Sequence, residues 1–209
     1  MAMPPGERPS PPPVPIEIPD DVCGPRVLLR PLRPEDAPAA WEAIEESRRH
    51  LAPWMPWVHT LRSVDDERVA IIEMRARWTL REDLGVGIFD RATGRYLGGS
   101  GFNRINWDLR IFEIGYWIRA TAEGRGYVTE AVQLLTRLAF DRLGANRVEV
   151  YVDPRNVRSV NVPERLGFVL EGTLRRFRPG PDGRPQDRQV FALIREDYLR
   201  LAWRDAHED

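Results

Sequence analysis

Residues 113 to 131 read EIGYWIRATAEGRGYVTEA, and how this stretch folds decides how the rest of the chain is read. The run Ile111 to Ile118 is rich in β-branched and aromatic residues and predicts a strand. Val128, Ala131, Leu135 and Leu138 then recur at helical spacing, so a strand passes into an amphipathic helix through the glycines at 124 and 126. Those glycines let the backbone turn sharply and expose its N–H groups, and the helix beginning near Gly126 adds the positive end of its dipole. Arg125 can add charge, and Thr129 with Glu130 suits a first helical turn. Together these features form a cradle for a pyrophosphate. A Gly-Arg-Gly turn alone is a weak signal, because many such turns merely cap a helix, so the flanking pattern carries the weight.

Working outward, Val27 to Leu29 predicts a short strand closed by Pro31 and Pro34. A helix follows from about Glu35, with Ala40, Trp41 and Ile44 on one face. The segment HLAPWMPWVH, His50 to His59, is too rich in proline for one regular helix and predicts a shaped loop. A second helix is expected from Val64 to Leu80, then a hairpin of strands Gly85 to Phe89 and Tyr96 to Asn103, where Gly98, Gly99 and Gly101 suggest a bulge or a close backbone approach. Beyond the quoted stretch, Val148, Val150 and Val152 alternate on a strand, a short helix ends at Gly167, and strands near Val169 to Leu174 and Gln189 to Ile194 finish the sheet. The fold class is α/β: a mixed, mostly antiparallel sheet of about seven strands flanked by helices.

The bulk properties exclude several chemistries. With 31 basic against 32 acidic residues there is no excess of positive charge for nucleic acid, and no nucleic-acid partner is expected. All the basic residues are arginine, so a lysine Schiff base and a Walker-type lysine are both ruled out. The single cysteine, Cys23, cannot form an internal disulfide, which fits a cytoplasmic setting. No apolar run approaches the ~20 residues that span a bilayer, so no membrane partner is expected. Residues 1 to 25, with Pro11, Pro12 and Pro13 in a row, read as a disordered proline-rich arm, residues 26 to 204 as one domain, and residues 205 to 209 as a tail. His50 and His59 lack spaced partners for a metal, and none is expected.

Taken together, EIGYW, GRGYVTEA and DPRN..S......LGF, with the LRPLRPEDA opening and the EG.LR..F...DGR...V tail, resemble the GCN5-related N-acetyltransferases, and within them the RimJ/RimL type. The likeness covers about residues 26 to 200. It implies a strand at Ile114 to Ile118 that splays from its neighbour beginning at Arg147, so that the pantetheine arm of acetyl-CoA pairs with the exposed edge. It further implies that Ile118, Arg125, Gly126, Val128 and Thr129 hold coenzyme A, with Asn156 near the pantetheine. The activity implied is transfer of an acetyl group to a primary amine, either a protein N-terminus or a small molecule. A symmetric homodimer is compatible with the likeness.

Direct attack needs a neutral amine, an acceptor for its proton and a donor for the leaving thiolate. Glu113, which alternates with Ile114, is the candidate base, acting through a water; the same residue also suits a salt-bridged strand glutamate. A strand N–H at Trp117 or Ile118 would polarise the thioester carbonyl. Many relatives carry a tyrosine five residues before the phenylalanine of the LGF signature, but Phe168 counts back to Pro163. The RimL-like acid is a serine nine residues before that phenylalanine, here Ser159, which equally suits a helix-capping serine. RimL-like enzymes also place a catalytic glutamate where Arg178 stands here. Pro163 deprives the Ser159 carbonyl of its helical donor at a cost of about 3 kcal/mol, so a kink that reshapes the acyl pocket is expected. Glu123, Val128 and Asn161 depart from common family residues. Trp54 and Trp57 are candidate walls for the acceptor, although core packing suits them too. Two alternatives stand beside acetyl transfer: use of a longer acyl-CoA, and a coenzyme A-binding module with little turnover.

Overall fold

The computed structural model describes residues 17–204, so most of the proline-rich arm and the 205 to 209 tail lie outside the described residues. Eight strands form one sheet in the order β1-β2-β3-β4-β5-β6-β8-β7, one more than expected. The additional strand is β1 (Val22–Cys23), which pairs antiparallel with β2 (Val27–Arg30). Two residues are too few to show any alternation, and only their pairing with β2 makes them a strand.

Between β2 and β3 (Leu84–Asp90) run α1 (Ala37–Leu51), a 3-10 turn at Pro56–His59 and α2 (Val64–Leu80). Pro53 and Pro56 account for the break between the helices. Ser63 caps α2 by accepting from the Asp66 N–H at 3.1 Å. The α1 face formed by Ala37, Ala40 and Ala43 packs with Ile71, Phe89 and Tyr96 in a secondary core. Strands β4 (Tyr96–Asn106) and β5 (Ile111–Ile118) continue the sheet, with a register shift between Phe102 and Arg104. Gly98 is required where it lies, because a Cβ there would stand 2.3 Å from the Trp117 carbonyl oxygen on β5.

Helix α3 (Tyr127–Arg137) widens into a π-helical turn at Leu138–Arg142 and leads to β6 (Arg147–Val152). Its apolar stripe, Ala131, Leu134, Leu135 and Leu138, enters the main core beneath Phe102, Phe112 and Ile114. Glu130 in its first turn is buried and ties the helix to the sheet. One carboxylate oxygen accepts from the Arg26 N–H at 2.8 Å and the Val27 N–H at 3.0 Å, and the other from Arg26 Nε at 2.8 Å. Helix α4 (Val157–Arg165) continues through Pro163 as one α-helix. Strands β7 (Val169–Pro179) and β8 (Pro185–Ile194) and the short α5 (Arg195–Tyr198) complete the chain. Both strands extend beyond their expected ends. β7 is the sheet's edge and is exposed along almost its whole length, so no burial alternation marks where it stops.

Every neighbouring pair is antiparallel except β5 and β6. That parallel ladder joins only Ile111 to Arg147, Phe112 to Val148 and Glu113 to Glu149. Beyond Glu113 the strands part, and the splayed central pair is present.

Two predictions follow from the packing. Glu130→Ala leaves two backbone N–H groups without their acceptor and should cost about 2 kcal/mol of stability in chemical denaturation. Glu67 on α2 is buried, and burial pushes its carboxyl up from 4.5 to about 7. Because its folded pKa exceeds the unfolded one, stability should decline as pH rises from about 4.5 to about 7 and then level off. Glu67→Gln should flatten that decline in unfolding midpoints measured across this range.

Candidate active site

Where β5 and β6 diverge, a cavity of about 380 Å³ opens. One wall is the C-terminal end of α1 with the following loop, through His50, Leu51, Trp54 and Met55; the floor is Tyr116, Trp117 and Ile118 of β5. The glycine turn and first turn of α3 contribute Glu123, Gly124, Gly126, Val128 and Thr129, and α4 closes the far side with Asn156, Arg158, Ser159, Val162 and Arg165.

Gly124 and Gly126 both have positive φ, at 70° and 80°, and Gly126 is the N-cap of α3. Only glycine takes up this pair of left-handed positions without strain, and the turn aims the helix N-terminus at the cavity. Arg125 does not line the cavity. Its carbonyl accepts from the Arg26 guanidinium at 2.8 Å, so Arg26 braces the turn from β2. Glu123 joins three elements: one oxygen lies 2.8 Å from His50 Nε2 of α1, and the other 2.5 Å from Arg158 of α4.

Ser159 lies on the cavity side of α4, one turn after the N-cap Asn156, whose side chain accepts from the Ser159 N–H at 3.2 Å. The Tyr116 hydroxyl donates to the Ser159 carbonyl oxygen at 2.8 Å, and Ser159 Oγ donates back to the Tyr116 oxygen at 3.3 Å. Burial pushes the Tyr116 hydroxyl pKa up, so it stays protonated across the working range.

Of the expected residues, the fold gathers Trp54, Trp117, Ile118, Gly126, Val128, Thr129, Asn156 and Ser159 around one cavity. Trp57 stands behind it, its ring 5.7 Å from that of Trp117 in an aromatic series continued by Tyr96 and Phe89. Glu113 also stands outside it, at the last position of β5 paired with β6, buried and accepting from Arg178 at 3.1 and 3.2 Å with Arg104 at 3.7 Å. Arg178, at the position where RimL-like enzymes carry a glutamate, is thus itself the partner of a glutamate. Tyr116, His50 and Arg158 also line the site, beyond the residues expected from the sequence. Tyr116 had a signal, a hydroxyl at an alternate position between Ile114 and Ile118; His50 and Arg158 line the cavity and meet at Glu123, a convergence that no local pattern reveals. Among the described residues no group of three or more His, Cys, Asp or Glu could hold a metal ion, and no helix is long and apolar enough to cross a membrane.

A model of the acetyltransferase (GNAT) domain matches residues 26–169. The chain belongs to this family, in its RimJ/RimL-like branch. It is therefore an acetyl-CoA-dependent N-acyltransferase. It is 32% identical over 150 residues to YdaF of Bacillus subtilis, provisionally named a ribosomal N-acetyltransferase, covering 71% of this chain and 81% of that one. It is 32% identical over 176 residues to YjcK of the same organism, provisionally named an N-acetyltransferase, covering 83% and 97%. Among solved structures, RimJ of Mycobacterium smegmatis in complex with a CoA-disulfide superposes with a TM-score of 0.78 at 28% identity, covering 84% of this chain and 85% of that one.

The residues present suit coenzyme A: a dianion fits the helix N-terminus with its two left-handed glycines, and an extended amide chain fits the strand edge beyond Glu113. Glu123 opposes that charge and occupies Arg158 and His50. Glu123→Gln should therefore tighten coenzyme A binding on the order of tenfold, and Arg158→Ala should weaken it, both measured by titration calorimetry.

Proposed function

We propose that this enzyme moves an acetyl group from acetyl-CoA to a primary amine by direct attack, with Ser159 as proton donor to the departing sulfur. The observation that carries this reading is the cavity at the strand divergence, which places the Ser159 hydroxyl in the same space as the glycine cradle. The donor supplies an activated acyl carbonyl. The α3 N-terminus with Gly126, Val128 and Thr129 binds its pyrophosphate, Asn156 and the edge of β5 orient its amide arm, and an N–H of Trp117 or Ile118 polarises the carbonyl. No side chain need act as nucleophile, which fits a cavity lined by neither cysteine nor lysine.

A protein N-terminus is the acceptor favoured by the name of YdaF and by the likeness to RimJ. Trp54 lines the cavity, with the Arg155 guanidinium 6.0 Å from its ring, and offers a flat wall for a peptide or small amine. Trp57 backs the cavity floor by packing on Trp117. Glu113 accepts the amine proton through water, in exchange with its Arg178 partner.

The test is thiol release from acetyl-CoA and longer acyl-CoAs, with peptides bearing N-terminal serine or alanine and a panel of small amines as acceptors. Acetyl-CoA with a peptide should be turned over, and Ser159→Ala should reduce kcat about a hundredfold with little change in KM for acetyl-CoA. Glu113→Gln should lower kcat with little change in KM for acetyl-CoA. Saturable coenzyme A binding with no thiol release on any acceptor would instead mark a binding module, and preference for a longer acyl chain would shift the donor.

A further inference from the structure

In a continuous α-helix the carbonyl of one residue accepts from the N–H four residues on. For Ser159 that donor would be residue 163, which is Pro163 and has no N–H, although α4 runs through it. A carbonyl left unpaired against the packed face of β5 would be costly. The Tyr116 hydroxyl, donating at 2.8 Å, takes the missing place. Its single proton is then committed, so towards Ser159 Oγ, 3.3 Å away, the phenolic oxygen can only accept. The direction of the serine hydroxyl is thereby set by a proline four residues away in the sequence and a tyrosine on a different element.

We infer that Pro163 and Tyr116 form one lock that fixes the Ser159 hydroxyl oxygen at the cavity, its proton resting on the phenolic oxygen by the longer 3.3 Å contact until the departing sulfur takes it, Tyr116 being a positioning residue and not the acid itself. This rests on the reading of Ser159 as proton donor. In the step it serves, the amine nitrogen bonds to the acyl carbon, the C–S bond breaks with its electron pair on sulfur, and sulfur takes the Ser159 proton. Ser159 is refilled by the surplus proton of the amine, passed on through Glu113 and water, so the protein gains and loses none. Tyr116 is unsuited to supply that proton directly, because it is held by a carbonyl. Asn156 fixes the other side of Ser159 by accepting from its N–H, so backbone and hydroxyl are held independently.

The experiment is a set of full-chain variants, Tyr116→Phe, Pro163→Ala, both together, Ser159→Ala, and Tyr116→Phe with Ser159→Ala, read by thermal unfolding and by thiol release with acetyl-CoA and an N-terminal serine peptide. Tyr116→Phe should lower the unfolding midpoint by about 2–4 °C in the parent and by less than half as much beside Pro163→Ala, where the new N–H reclaims the carbonyl. It should lower kcat on the order of tenfold, leave KM for acetyl-CoA within about twofold, and add nothing to Ser159→Ala. Pro163→Ala alone keeps every hydroxyl yet frees the tyrosine proton, and should also lower kcat. Equal midpoint losses in both backgrounds would overturn the lock. An unchanged kcat in Tyr116→Phe or Pro163→Ala, or a full further loss on top of Ser159→Ala, would overturn the positioning role. A parent enzyme that releases no thiol on the peptide or on any amine of the panel overturns the acetyl-transfer reading, and the unfolding cycle still decides the lock.

Discussion

The early end of the β5–β6 ladder is the constraint on which the site depends. Two adjacent parallel strands that pair at only three positions leave the edge of β5 from Ile114 onward without a ladder partner. Backbone polar groups at such an edge must find water, a side chain or a ligand. The separation also makes room for α3 and α4 to present their N-terminal turns to one space. At the last paired position two glutamates stand side by side, Glu113 and Glu149, and like charges there would drive the strands apart sooner. Arg178 and Arg104 neutralise the first, and Arg147 and the Tyr151 hydroxyl hold the second.

That solution recurs across the molecule, with arginine in place of any other cation. Arg26 forks between Glu130 and the Arg125 carbonyl, coupling β2 to both the glycine turn and the helix behind it. Arg119, fully buried after β5, bonds Glu42 and Glu46 of α1 and the Tyr96 carbonyl, and holds the Glu46 carboxyl down at about 2. Arg158 reaches Glu123 across the cavity mouth. A planar guanidinium can satisfy a carboxylate and a carbonyl at once in fixed directions, which an ammonium does less well. The all-arginine composition thus acts as a set of rigid links between elements far apart in sequence.

The elements were legible wherever one face is buried and the other wet. Helix α3 carries its apolar stripe at regular spacing, and β6 alternates buried and partly exposed residues from Arg147 to Val152. Legibility failed at the sheet's margins. β1 has only two residues, and β7 is exposed on both faces, so neither offers a contrast between core and solvent. In the site, the cradle glycines could be read because a left-handed turn narrows the choice of residue at its own position. Ser159 could be placed by spacing from Phe168, but its hydroxyl partner could not, since Tyr116 lies 43 residues away.

The sequence by itself therefore determined the order of strands and helices, the glycine turn that opens α3, the missing N–H at Pro163 and the absence of lysine, since each follows from a residue's own backbone or side-chain chemistry. Only the tertiary structure decided which groups meet. It set Trp57 behind the cavity and Trp54 on its wall, gave Glu113 to Arg178, drew Glu123 to His50 and Arg158, and supplied the Ser159 carbonyl with a donor from β5. The physical reason is that hydrogen bonds and ion pairs between distant segments depend on sub-ångström placement by the packed core. Local spacing carries no record of that placement.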